Sequence, residues 1–282
     1  MRIDLHTHST ASDGTQPPAE VVASARQAGL DVVALTDHDT TSGWAEAASA
    51  ARTHGVALVR GIEVSTARDG VSIHLLGYLT DPSDPALTAE LEHARQSRVT
   101  RLARIVERMA AAGIPLSYAQ VAAHVPPCAT AGRPHIADAL VAAGVVGTRD
   151  EAFVRWLGND SPFYVSHYAP DPVRAIELVL AAGGVPVHAH PFSSTRGRTI
   201  SDDLVEELAA AGLVGLEVDH RDHDEAARVR GRALADRLGL LVTGSSDYHG
   251  DGKLNRLGEN TTSPAVLAAI EERASGVTPV IR

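Results

Sequence analysis

Two hydrophobic periods alternate along this chain. Amphipathic stretches, with apolar residues every three or four positions, give way through a glycine to short runs of Val, Leu, Ile and Ala that end in polar residues. The joints are Ala28-Gly29-Leu30, His54-Gly55-Val56, Gly183-Gly184-Val185, Ala211-Gly212-Leu213 and Leu238-Gly239-Leu240. Glycine just past a helix end accepts the left-handed conformation without a Cβ clash, so each joint reads as a helix stop feeding a strand. The strands predicted in this way are 2–8, 32–38, 57–65, 71–79, 185–190, 213–219 and 240–247, with Ala67-Arg68-Asp69-Gly70 turning between the third and the fourth. Strands joined mainly by helices imply an α/β fold with a barrel-like parallel sheet, whose polar strand ends are where active-site residues gather.

The alternation breaks between the fourth and fifth strands. A long helix from about Pro85 to Ala112 carries Leu87, Leu91, Leu102, Ile105 and Met109, and further helical pieces follow Gly113 and Pro115 to about Gly158. No strand-like run occurs there. Residues 96–165 therefore read as a helical insertion, or cap, over the C-terminal edge of the sheet, and 1–95 with 166–282 as the barrel. In Tyr168-Ala169-Pro170-Asp171-Pro172, Asp171 is the expected N-cap and Pro172 the first position of the helix that returns to the barrel. Arg98, Arg101, Arg104 and Arg108 recur at helical spacing and read as a solvated face.

Composition narrows the function classes. No apolar run approaches the roughly 18 residues of a membrane span, and a strand stands where a signal peptide would begin, so a cytoplasmic protein is expected. The net charge of -10 disfavours a stable, sequence-independent complex with nucleic acid but leaves room for a small phosphorylated substrate. Cys128 is the single cysteine, which excludes an internal disulfide, and no His or carboxylate neighbours it in sequence to suggest a nucleophile.

The candidate chemistry sits at the strand ends. In Arg2-Ile3-Asp4-Leu5-His6-Thr7-His8-Ser9, strand alternation gives Asp4, His6 and His8 one face and Ile3 and Leu5 the other, so the two imidazoles converge beyond the strand. His38, His74, His188, His190, His220 and His249 likewise fall on or just after predicted strands. Asp13, Asp37, Glu63 and Asp247 join them. Neutral imidazoles mixed with carboxylates suit zinc, manganese or iron, and the lack of clustered thiolates argues against a structural zinc knot.

His6-Thr7-His8-Ser9, Thr36-Asp37-His38-Asp39, Glu63, His74, Ala189-His190-Pro191 and Asp247-Tyr248-His249 resemble, in order, the motifs of the polymerase and histidinol phosphatase (PHP) family. The resemblance implies a distorted seven-stranded barrel with three divalent metal ions, manganese first and iron or zinc as alternatives. It places His6, His8, Glu63 and Asp247 on one ion, with Glu63 bridging to a second held by His74 and His190, and puts Asp13, His38 and His249 on a third. A carboxylate suits the bridge because each of its oxygens can face a different cation. Asp247 and His249 share a predicted strand face, and so do His188 and His190, of which only the resemblance selects His190. Asp4 and Asp37 are expected to orient ligating imidazoles, although Asp4 could equally be a structural acceptor.

The implied activity is phosphate-ester hydrolysis by metal-activated hydroxide, with Glu63 and Asp247 in the metal site and His135 or a metal-bound water protonating the leaving oxygen. Arg133 and His135, in a Gly-Arg-Pro-His segment similar to that of family members with such an insertion, and Arg196 and Arg198, in the loop after Pro191, are the candidate phosphate-binding residues. Phe192-Ser193-Ser194 stands where relatives often have a glycine and an arginine. The expected substrate is a nucleoside 3′,5′-bisphosphate such as adenosine 3′,5′-bisphosphate, cleaved at the 3′-phosphate. The alternatives are a 5′-3′ exoribonuclease acting on 5′-phosphorylated RNA, a histidinol-phosphate-type phosphatase, an amidohydrolase-like enzyme, and a metal-binding module without turnover. A carboxylated-lysine amidohydrolase is disfavoured because the only lysine, Lys253, follows the last strand.

Overall fold

The computed structural model describes residues 1–193 and 199–282. Each predicted strand is present: β1 (Ile3–Asp4), β2 (Val32–Leu35), β3 (Ala57–Arg68), β4 (Val71–Tyr78), β5 (Val185–His188), β6 (Gly215–Asp219) and β7 (Leu241–Gly244). They form one seven-stranded sheet in sequential order. Beyond the strand ends, an isolated parallel bridge joins Thr7 to Tyr248, and the His8 N–H donates to the Tyr248 carbonyl at 2.8 Å. The sheet thereby nearly closes into a barrel.

The expectation of a parallel sheet is corrected at one strand. β4 runs antiparallel to both β3 and β5, while the other neighbouring pairs are parallel. The reason lies in the turn, where Asp69 (φ 51°) and Gly70 (φ 74°) are the two residues between β3 and β4. Positive φ at both central positions is the mark of a tight hairpin turn, which can only reverse the chain; a parallel neighbour would need a crossover of a dozen residues or more.

Among the described residues the helices are α1 (Pro18–Gln27), α2 (Trp44–His54), α3 (Pro85–Ala111), α4 (Tyr118–Ala122), α5 (Arg133–Ala142), α6 (Arg149–Ala152), α7 (Pro172–Ala181), α8 (Asp202–Ala210), α9 (Glu225–Leu238) and α10 (Pro264–Arg273). A π-helical turn, Phe153–Leu157, continues α6. The Asp84 carboxylate accepts from the Leu87 N–H at 2.8 Å to start α3, and Asp171 does the same for Val173 at 2.9 Å to start α7. Gly55 and Gly239 close α2 and α9 in the left-handed conformation, at φ 65° and 67°. No helix of the described residues is long and apolar enough to cross a membrane.

Strand alternation divides the apolar residues between two clusters. Val33 and Leu35 join the faces of α1, α2, α7 and α9, whereas Val32 and Ala34 join Ile3, Val59, Leu76 and Tyr78. A third cluster lies wholly in the segment that reads as the insertion, from Leu102 and Ile105 through Ile136 and Leu140 to Val165. That segment thus has an apolar core of its own.

Candidate metal centre

β1 ends at Asp4, β5 at His188 and β7 at Gly244, so His6, His8, His190, Asp247 and His249 stand in irregular chain just past the strands. Two of them take positive φ, 33° at His190 and 54° at Asp247, a conformation that costs a non-glycine residue roughly 1–2 kcal/mol. His6 and His8 converge as expected, with their Nε2 atoms 3.0 Å apart. Asp247 and His249 also meet the cluster, but through this irregular backbone and not through a shared strand face. His188 and His190 part company for the same reason. His190 Nε2 reaches Glu63 Oε1 at 3.1 Å, whereas the buried Nδ1 of His188 has no hydrogen-bond partner and burial pushes that ring's pKa down to about 3.

Glu63 is the hub. Its Oε1 faces His74 Nδ1 at 2.7 Å and His190 Nε2 at 3.1 Å. Its Oε2 faces His6 Nε2 at 3.2 Å, His8 Nε2 at 3.1 Å and His38 Nδ1 at 3.1 Å. The parallel bridge between His38 and Glu63 continues the β2–β3 pairing and sets these two side by side. On the far side of His8, Asp13 lies 3.2 Å from His249 Nε2 and 3.8 Å from His38 Nε2.

The proton positions explain why this cluster fits cations. Glu217, buried on β6, accepts from His6 Nδ1 at 3.0 Å, from the His190 backbone N–H at 2.8 Å and from the Ser245 hydroxyl. A proton held on His6 Nδ1 leaves a lone pair on Nε2, aimed at Glu63 and at Asp247 Oδ1, 3.4 Å away. His249 is fixed likewise, since its Nδ1 donates to the Asp247 carbonyl at 2.8 Å and turns an unprotonated Nε2 to Asp13. With these rings neutral, lone pairs face carboxylate oxygens, an arrangement that needs positive charge between them, supplied by a cation or by a further proton on the ring. Burial opposes charge on His8, yet its bonds to Asp247 and Glu63 push its pKa up to about 9. Burial likewise works against ionised Glu63 and Asp13, and the surrounding imidazoles still hold both well below the usual carboxylate range. Four sets bring their ligand atoms within 4.8 Å of one another: His6/His8/Glu63/Asp247, His8/Asp13/His38/His249, His38/Glu63/His74 and His6/His190/Glu217.

Glu217 is the residue the sequence reading missed. A carboxylate between Leu216 and Val218 in a short strand was the available signal, because such a strand is buried on both faces and its charge must have a partner. Asp4 takes backbone N–H groups from Ser246 at 3.0 Å and Gly258 at 2.8 Å, the contacts of a structural acceptor. Asp37 orients no ring directly; it accepts from the Ser9 N–H, the Ser9 hydroxyl and the Ser12 hydroxyl at 2.6–2.8 Å, fixing the loop that presents Asp13.

The solvated-face reading of the α3 arginines holds for half of them. Arg104 and Arg108 are exposed, but Arg98 and Arg101 are buried. Arg98 pairs with Asp39 at 2.9 Å, and Arg101 donates to the Val165 carbonyl at 2.7 Å. Burial, and then the fields of Arg133 and Arg98, push Arg101 down to about 9. Arg133, at the start of α5, donates to the Leu157 carbonyl and Asn159, and its guanidinium and that of Arg101 lie 5.6 and 5.2 Å from the Tyr164 ring. His167 feels the same group: burial first, then Arg98, Arg101, His74 and Arg133, hold its pKa far below the ordinary value. His135 is buried, with Nδ1 taking the Gly132 N–H at 3.1 Å, and burial lowers its pKa against the pull of Asp13. Arg196 and Arg198 lie outside the described residues.

The PHP domain pattern matches residues 4–134. A 3′,5′-nucleoside bisphosphate phosphatase of Chromobacterium violaceum is 35% identical over 95% of this chain and 94% of its own length. A 5′-3′ exoribonuclease of Haemophilus influenzae is also 35% identical, over 92% and 94%. Among solved structures, a candidate metal-dependent phosphoesterase of Bifidobacterium adolescentis is 41% identical with a TM-score of 0.95, covering 98% of this chain and 97% of the other. An amidohydrolase of C. violaceum with bound sulfate and no metal is 34% identical, with a TM-score of 0.87 and 97% of each chain covered. Barrel, ligand-rich strand ends and relatives agree, and the chain belongs to the PHP family of metal-dependent phosphoesterases.

Proposed function

We propose that this protein removes the 3′-phosphate from nucleoside 3′,5′-bisphosphates, leaving the 5′-mononucleotide. The observation that carries the proposal is the division of Glu63 between two sets of imidazoles, beside a cluster of buried arginines. His6, His8, Glu63 and Asp247 are the proposed ligands of one cation, Glu63 with His74 and His190 those of a second, and Asp13, His38 and His249 those of a third. Manganese is the proposed ion, with iron or zinc as alternatives. Divalent cations at such a site neutralise phosphoryl oxygens and lower the pKa of a water.

The chain's own residues then hold the rest of the substrate. Arg101 is buried and Arg133 half-buried, and each guanidinium has more N–H donors than its carbonyl and amide partners occupy. They are the proposed anchors of the second phosphate, each charge-assisted contact contributing about 1.5–3 kcal/mol. His135, whose Nδ1 faces both the N–H and the carbonyl of Gly132 at 3.1 and 3.3 Å, is the proposed proton donor, through Nε2, toward the leaving oxygen. The C. violaceum relatives support the reading, one by its named substrate and the other by binding sulfate, a tetrahedral dianion like phosphate.

A second reading, exonucleolytic trimming of 5′-phosphorylated RNA, is favoured by the H. influenzae relative and by a groove lined by Gln96, Thr100, Arg101 and Arg104, which shares Arg101 with the cluster. Phosphate or nucleotide release from metal-loaded protein decides between them. The substrates are adenosine 3′,5′-bisphosphate, the 3′-monophosphate and a short 5′-phosphorylated oligonucleotide, each with wild type, Arg101→Ala and Arg133→Ala. The expected result is a preference of about tenfold to a hundredfold for the bisphosphate over the 3′-monophosphate, lost in both variants. Equal efficiency on the two small substrates removes the second-phosphate argument, and faster cleavage of the oligonucleotide moves the assignment to the nuclease.

A further inference from the structure

Lys253, the chain's only lysine, stands in the loop after β7 with its Nζ 3.0 Å from Asp247 Oδ2. The two oxygens of Asp247 are divided. Oδ1 is turned to His6 Nε2 at 3.4 Å and His8 Nε2 at 3.3 Å, while Oδ2 is turned to Lys253 and, at 3.6 Å, to His220 Nε2. A cation among His6, His8 and Glu63 and an ammonium on Oδ2 therefore do not compete for one oxygen.

Exposure adds the second half of the argument. The Asp247 side chain is 1% exposed and that of Lys253 35%, so the lysine connects the buried cluster with solvent. Its loop is held in place: the Asn255 amide donates to the Ser246 carbonyl at 2.6 Å, and the Asp251 N–H to the Thr15 hydroxyl at 2.9 Å. Arg149, the neighbouring cation, is committed elsewhere, gripping Asp138 through two bonds at 2.5 and 2.6 Å and the Asp13 carbonyl at 3.0 Å. Lys253 has a carboxylate that also serves the cluster and, with three N–H donors, capacity beyond that one partner.

We propose that the Lys253 ammonium contacts the phosphoryl oxygens of the substrate at the solvent edge of the cluster. The proposal rests on the phosphoesterase reading and requires no bond to form or break at the lysine. It adds a cationic contact to those proposed for the arginines of α3 and α5, so that the phosphate at the cluster and the second phosphate each have a side chain of their own.

A single lysine makes the test direct. Lysine labelled with 13C at Cε leaves the three N–H donors intact and gives Lys253 one signal. In zinc-loaded protein, which is diamagnetic, inorganic phosphate is expected to shift the Lys253 signal and chloride at equal ionic strength to leave it in place. In parallel, Lys253→Met is expected to lower kcat/KM for phosphate release about tenfold to a hundredfold with metal content unchanged, and Lys253→Arg to restore most of it. A stationary Lys253 signal, wild-type kcat/KM in Lys253→Met, or loss of metal from that variant each overturns the proposal; the last would make the lysine a structural partner of Asp247. Should wild type release phosphate from no ester while phosphate still moves the Lys253 signal, the phosphoesterase reading fails and the anion contact stands.

Discussion

His6, His8, His38, His74 and His190 all reach the Glu63 carboxylate, and they divide between its two oxygens. Replacing one of those oxygens by an amide nitrogen puts N–H donors where imidazole lone pairs converge. Glu63→Gln is therefore expected to abolish turnover and to release bound metal, which inductively coupled plasma analysis after gel filtration measures; full metal content with near-normal turnover would show that Glu63 links nothing. His190→Ala is expected to lose metal and His188→Ala to keep it, because only His190 meets Glu63, and the reverse pattern exchanges their roles. Much of this was legible in the sequence, since a His-x-His pair and the carboxylate motifs mark chemistry wherever they fall. What strand alternation did not convey was direction. His190 and Asp247 lie past the strand ends at positive φ, where alternation no longer governs which way a side chain points.

At the scale of the element, α3 shows how one helix carries arginines in its packing face. Leu87, Leu91, Ala94, Arg98, Arg101, Leu102, Ile105 and Met109 make one buried stripe. Their spacing alone separates Arg98 and Arg101, in phase with the leucines, from Arg104 and Arg108. The sequence reading treated the four as a single series and so assigned the buried pair to solvent. Arg98 also ties the helix to the barrel, through Asp39 at 2.9 Å and the Ser65 hydroxyl at 2.5 Å. Arg98→Ala leaves Asp39 buried with the Ser65 N–H and hydroxyl as its donors among the described residues, at 2.7 and 2.8 Å. Breaking a buried pair on one side costs roughly 3–5 kcal/mol, and the surviving bonds place the expectation at the low end. Urea unfolding measures it, and a midpoint equal to that of wild type would mean that the Arg98–Asp39 pair adds nothing to stability. The turn between β3 and β4 carries the same lesson: Ala67-Arg68-Asp69-Gly70 was legible as a turn, and a connection of so few residues already required an antiparallel β4.

At the scale of the whole molecule, the proposed ligands run from His6 to His249, and only a sheet in sequential order whose end is returned to its start brings them together. The unfolded chain has no such convergence, so ion binding and global folding are thermodynamically linked. A cation that binds only the folded chain stabilises it by RT ln(1 + [M]/Kd), which at saturation grows by about 1.4 kcal/mol per tenfold rise in free metal for each ion. Three ions give about 4 kcal/mol per decade, or roughly 8–16 °C in Tm at about 2–4 °C per kcal/mol for a chain of this size. Chelator-treated protein titrated with buffered free manganese and followed by thermal unfolding is thus expected to show this slope once every site is filled. Glu63→Gln is expected to show a shallower one. The slope counts ions without a structure of the loaded protein. A wild-type value near 1.4 kcal/mol per decade would mean a single ion, and a flat line would mean that the convergent lone pairs hold none.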